Sequence, residues 1–192
     1  MQCSLNSLIG YTMEATDGDI GKVVEFYFDD QTWTIRYFIL ESGNWLTGRK
    51  LLISPEAIIK TAWLPGTGKF PTNLTKEQIR NSPDIDDSHL QSTKRITNYR
   101  IHATDGDLGH VKDFIMDDQT WQIQFLVVDL HNWFSGKKVL VPVRHIKRLA
   151  WSDSKVFVNL GMDAIKESAR IDESDFIHSE NAVHDSHTMH LK

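Results

Sequence analysis

Along the chain, apolar residues fall into short runs with a period near two, separated by turn-forming residues, the pattern of a mainly β protein. One run places Ile20, Val23, Phe26 and Phe28 among polar neighbours. A second places Leu108, Val111, Phe114 and Met116 in the same way. The period-2 alternation breaks once in each, between 23 and 26 and between 111 and 114. A single extra residue produces such a break, so a β-bulge is predicted near Val24–Glu25 and near Lys112–Asp113.

The two runs belong to an internal repeat. "ATDGDIGKVVEFYFDDQTW" (Ala15 to Trp33) returns as "ATDGDLGHVKDFIMDDQTW" (Ala103 to Trp121), and the register holds without a gap from Tyr11/Tyr99 to Trp63/Trp151. About 23 of the roughly 53 aligned pairs are identical. The match resumes with a two-residue slip, "NLTKEQIRNSPDID" against "NLGMDAIKESARID". Two copies of a stretch must solve the same local folding problem.

Each copy opens as a β-meander. The Asp-Gly of "TDGD" tolerates the positive φ of a tight turn and predicts a hairpin into the bulged strand. "DDQT" forms the next turn, and Trp33–Glu41 and Trp121–Asp129 form a third strand. The centres of these strands, "YFIL" and "FLVV", are apolar on both faces, as in a strand covered on both sides. "LLISPEAI" and "VLVPVRHI" read as strands ending near Pro55 and Pro142, because proline lacks a ladder N–H. A strand reaching Trp63 or Trp151 and another near Phe70 or Phe157 bring each copy to five or six strands.

A short helix closes each copy. Thr75 with Gln78 three residues on makes a capping box, and Pro83 stops that helix. The second helix begins after Gly161. The expected organisation is a first repeat over 1–86, a polar linker over 87–95, a second repeat over 96–172 and a flexible tail over 173–192. Units this small bury only about 60% of the surface that their unfolded chains expose. The two are therefore expected to pack on one another with approximate two-fold symmetry.

Composition narrows the function classes. The formal charge of -5 opposes a nucleic-acid binder that works by neutralising phosphates. One cysteine, Cys3, excludes an intramolecular disulfide and is expected in a mobile terminus. No apolar run approaches the roughly 20 residues of a membrane-spanning helix, and the start lacks a basic stretch followed by an apolar core. A cytoplasmic protein without membrane insertion is expected.

The recurring carboxylates Asp17, Asp19, Asp29 and Asp30, with Asp105, Asp107, Asp117 and Asp118, lack EF-hand spacing and sit where aspartate ordinarily bonds backbone N–H groups in turns. No nucleophile elbow or phosphate-cradling loop is present. Neither catalytic residues nor a cofactor is expected. His102, His110, His131 and His145 occur only in the second copy and follow no known zinc spacing. His184, His187 and His190 would share a helix face and are weak metal candidates.

Aromatic loops carry the stronger hint. Trp45-Leu46 and Trp133-Phe134 each precede a basic pair, and the second copy adds "RHIKR" with Arg144, Lys147 and Arg148. Tryptophan and arginine dominate binding surfaces. These residues are the candidates for protein interaction.

The combined pattern "DGDIGKV…FYFDDQTWTIRYFIL…NWLTGRKLLISPEAI", present in both copies, resembles the PRC-barrel. This small β-barrel family is named for the cytoplasmic domain of the H subunit of the photosynthetic reaction centre. A related barrel forms the C-terminal part of a ribosome maturation factor. This chain has neither the membrane helix of the first nor the different N-terminal domain of the second. The resemblance implies a mainly β fold of two tandem small PRC-type barrels. It also implies a non-enzymatic scaffold or binding role with a protein partner, a homodimer being one possibility. The alternative from the residues is a ligand- or metal-binding regulator that uses the histidines of the second repeat.

Overall fold

The computed structural model describes residues 1–42, 50–63, 66–80, 89–130 and 137–168. In chain order the first part holds β1 (Gln2–Ser4), β2 (Thr12–Ala15), β3 (Gly18–Asp29), β4 (Thr34–Ser42), β5 (Lys50–Ile53), β6 (Lys69–Pro71) and helix α1 (Lys76–Arg80). The second holds β7 (Leu90–Ser92), α2 (Thr93–Ile96), β8 (Arg100–Ala103), β9 (Gly106–Asp117), β10 (Ile123–Asp129), β11 (Lys138–Pro142), β12 (Ile146–Ala150), β13 (Lys155–Val158) and α3 (Met162–Glu167). The protein is mainly β, with two sheets in two similar halves.

The predicted bulges lie in the long strands β3 and β9. Against β4, Val23 pairs with Leu40 and Glu25 with Ile39, so Val24 is the extra residue. Against β10, Val111 pairs with Val128 and Asp113 with Val127, so Lys112 is. In the doubly apolar strand centres Phe38, Ile39 and Leu40 and Leu126, Val127 and Val128 are buried, whereas Tyr37 and Phe125 are partly exposed. A β-carbon on Gly21 would lie 2.3 Å from the Glu41 carbonyl oxygen, and one on Gly109 would lie 2.5 Å from that of Asp129. Close strand approach therefore accounts for the second glycine of the repeated "DGDxG".

The helix starts draw on the hairpin turns. Thr75 and Gln78 form the expected capping box, with the Gln78 N–H donating to Thr75 Oγ1 at 3.3 Å and the Thr75 N–H to Gln78 Oε1 at 2.8 Å. Asp17 accepts from the Lys76 N–H at 3.0 Å, and Asp105 accepts from the Met162 N–H at 2.8 Å. The turn aspartates thus tie each hairpin to its closing helix.

The halves exchange their leading strands. β1 precedes the first half but pairs with β9 of the second, and β7 precedes the second half but pairs with β3 of the first. Residues 89–95, expected as linker, therefore carry β7 and the start of α2; residues 81–88 lie outside the described set. β7 supplies the edge of β3 beyond its pairing with β2, and this ladder gives the supposed linker its order. Cys3 likewise is a buried residue of β1, not part of a mobile end. Burial raises its thiol pKa.

At the seam, the Ile35 N–H donates to the Trp121 carbonyl at 2.8 Å, and the Ile123 N–H donates to the Trp33 carbonyl at 2.7 Å. Both tryptophans have positive φ, 56° and 59°, a conformation uncommon for a bulky residue. The reciprocal bonds hold them there. These pairings give the halves their pseudo-two-fold relationship.

Candidate interaction face

The symmetry fails in the segment that leads to Trp63 and Trp151. In the first half the predicted strand up to Trp63 does not form: beyond an isolated bridge between Ile58 and Thr72, the Ala62 and Trp63 N–H groups both turn back to the Ile59 carbonyl. This turn inserts Trp63 into the seam, where its ring stacks on Trp121 at 5.5 Å and packs on Phe70 at 5.2 Å. Lys60 reaches across as well, its ammonium donating to the Gln119 carbonyl. Burial of a large ring in the seam outweighs the ladder bonds that an extended strand would have made.

In the second half the corresponding residues pair as β12, with a bulge at Lys147, and Trp151 stays partly exposed beside Tyr99 with the Arg95 guanidinium 5.0 Å over its ring. Among the described residues β12 is the last strand of its sheet, paired on one side only, with β13. Because side chains alternate between faces, Arg100 and His102 of β8, Lys155 and Phe157 of β13 and Arg148 of β12 share the outer face. Register places His102 beside Phe157 and Phe157 beside Arg148.

The Arg148 guanidinium lies 3.8 Å over the Phe157 ring, whose centroid is 4.6 Å from that of His102. His102 Nδ1 meets Asp107 Oδ1 at 2.5 Å, and Lys155 Nζ meets Asp107 Oδ2 at 3.0 Å. Arg100 approaches the same carboxylate at 3.9 Å. The His102 hydrogen bond, followed by that of Lys155, holds the Asp107 carboxyl below the usual carboxylate range. One carboxylate thus serves three basic side chains. Ion pairs as solvent-accessible as these contribute little stability.

Of the sequence candidates, Arg144, Lys147 and Arg148 are all exposed and lie along this edge. Their counterparts at the 88-residue offset are Glu56, Ile59 and Lys60, so the first half carries no matching cationic edge. Trp45, Leu46, Trp133, Phe134, His131, His184, His187 and His190 lie outside the described residues. His145 pairs with Asn159 at 2.9 Å rather than joining His102 or His110. Among the described residues, no group of three or more His, Cys, Asp or Glu side chains could hold a metal ion. Sequence reading missed Arg100, Lys155 and Phe157. Their only signal was the outward alternation of "RIHA" and "KVFV".

The repeated aspartates serve turns. Asp29 accepts from the Gln31 and Thr32 N–H groups, both at 2.9 Å, and Asp117 from those of Gln119 at 3.1 Å and Thr120 at 2.8 Å. The Thr120 N–H foremost lowers the Asp117 pKa. No described helix is long and apolar enough to cross a membrane.

The model of the PRC-barrel domain matches residues 3–63 and again 95–165, well over half the chain. The chain belongs to the PRC-barrel domain family. It carries the domain twice. It is also similar to a Deinococcus radiodurans protein described as uncharacterized, with 37% identity over 68 residues, covering 34% of this chain and 24% of that one. The similar stretch thus spans about a quarter of that relative's length.

Proposed function

We propose that this tandem PRC-barrel protein is a non-enzymatic binding or assembly module that engages a protein partner through the cationic edge of its second repeat. The observation carrying this reading is the broken symmetry: the 59–63 turn is spent on the seam, whereas β12, with Arg144, Lys147 and Arg148, faces outward. Arginine stacked on an aromatic ring is a common anchor at protein interfaces. The use of Asp17, Asp29, Asp105 and Asp117 as backbone acceptors supports a role without catalysis.

A photo-crosslinking residue placed at Lys147 in one variant and at Ile59 in another tests the reading. Crosslinking in the native lysate should yield a discrete protein adduct at position 147, lost in Arg148→Glu, and none at position 59. Equal adducts at both positions, or an adduct indifferent to Arg148→Glu, would refute it.

A further inference from the structure

The partner's chemistry follows from the edge itself. We infer that the second repeat binds an extended acidic peptide segment, which adds as a strand along the free side of β12 and sets its carboxylates against Arg144, Lys147 and Arg148. This inference rests on the binding role proposed above and specifies its geometry.

β12 (Ile146–Ala150) ends the strand order of its sheet, and among the described residues only β13 pairs with it. An unpaired edge presents a row of backbone N–H and C=O groups, and strand addition is a general way in which peptides use such a row. Arg144 and Lys147 meet no carboxylate among the described residues, and Arg148 lies on Phe157. The Asp107 carboxylate on that face is already shared by His102, Lys155 and Arg100. The edge therefore holds a local surplus of positive charge on a chain of net charge -5.

Charge decides between occupants. A second β12 aligned with this one would set lysine and arginine against lysine and arginine, and like charges directly opposite one another destabilise a strand pair. A strand bearing carboxylates removes that repulsion and adds attraction. The first repeat cannot do the same, because residues 59–63 form a turn rather than an edge strand, and the positions matching Arg144 and Lys147 hold Glu56 and Ile59.

The test uses the full chain and fluorescent octapeptides read by anisotropy. One alternates glutamate and valine, one alternates lysine and valine, and one is the acidic peptide with its valine amides N-methylated, which keeps the charge but removes the ladder donors. A uridine octamer is the fourth probe. The acidic peptide should bind at least about tenfold more tightly than the lysine peptide, and N-methylation or Lys147→Glu/Arg148→Glu should each weaken it about tenfold or more. Amide exchange should slow at 146–150 when the acidic peptide is bound. Lys147→Gln/Arg148→Gln gives a second, milder check should the charge reversal disturb folding.

Equal binding of the methylated peptide would overturn strand addition while leaving acidic-partner recognition standing. Failure of both acidic peptides together with tight binding of the uridine octamer would overturn the inference and the proposed protein partner alike. If the charge reversal instead converted a dimer to a monomer in sedimentation, the occupant would be a second copy, and the inference would again be wrong.

Discussion

Ser4 donates a hydrogen bond of 2.5 Å to Asp113, 109 positions away and in the other repeat. Asp113 also accepts from the Asn6 N–H at 3.1 Å and the Phe114 N–H at 2.7 Å. The arrangement is mirrored: Ser92, at the end of β7, donates to Glu25, the counterpart of Asp113 beside the other bulge. Each leading strand is thus pinned by its serine to the bulge of the opposite half. The bulges have a purpose that periodicity could locate but not explain.

Ser4→Ala and Ser92→Ala should each lower unfolding free energy by about 1–2 kcal/mol, because each leaves a largely buried carboxylate short of a donor. The double variant should be additive within about 0.5 kcal/mol, as the two sites share no partner among the described residues and are pinned separately. Urea unfolding of the four proteins checks this. A large non-additive term would mean that the exchanged strands are not independent clasps.

Asp113 sets a pH dependence with a defined sign. Burial raises its pKa above the ordinary 3.8, against the lowering effect of its hydrogen bonds from Ser4, Phe114 and Asn6. A raised pKa means that the folded state binds the proton more tightly than the unfolded state. The group's stabilising contribution is full below the unfolded value and is lost as pH rises through the folded value. Asp113→Asn should therefore compare most favourably with the parent at neutral pH. Its advantage should shrink as pH falls through the Asp113 folded pKa. Thermal midpoints of both proteins from pH 3 to pH 7, with the range set about the ordinary carboxylate value, check the trend.

The broken symmetry predicts unequal tryptophans. Trp63→Ala should cost about 3–5 kcal/mol, since it empties a buried site stacked on Trp121. Trp151→Ala, at a half-exposed ring, should cost about half as much or less. Equal losses in denaturant unfolding would contradict the assignment of the first copy to the seam.

Gly109→Ala and Gly21→Ala should each destabilise by about 1–3 kcal/mol, the range for forcing extra atoms into a tight site. Gly109 adds a positive φ of 60° to its 2.5 Å approach, so it should suffer the larger loss. Differential scanning calorimetry of both variants would test that order.

Much of the fold was legible because its causes are local. The bulges at Val24 and Lys112 followed from a broken alternation, the hairpins from Asp-Gly, and the helix start from Thr75 and Gln78. Family membership followed from the same short patterns, stated twice. The leading strands were not legible. Residues 1–10 and 89–98 occupy equivalent places, yet Ser4/Ser92 is their only identical pair, so nothing in the pattern marked 89–95 as more than a linker. A three-residue edge strand needs only backbone groups and one hydroxyl, demands that many sequences meet.

Sequence alone determined the two-repeat organisation and the strand pattern, since turn chemistry and side-chain alternation act between neighbours along the chain. Tertiary structure alone decided which half each leading strand joins, which tryptophan enters the seam and which cationic edge is left outward. Those outcomes depend on contacts between residues about 60–110 positions apart, and burying the Trp63 ring in the seam of two similar but unequal halves leaves its counterpart Trp151 partly exposed beside Tyr99.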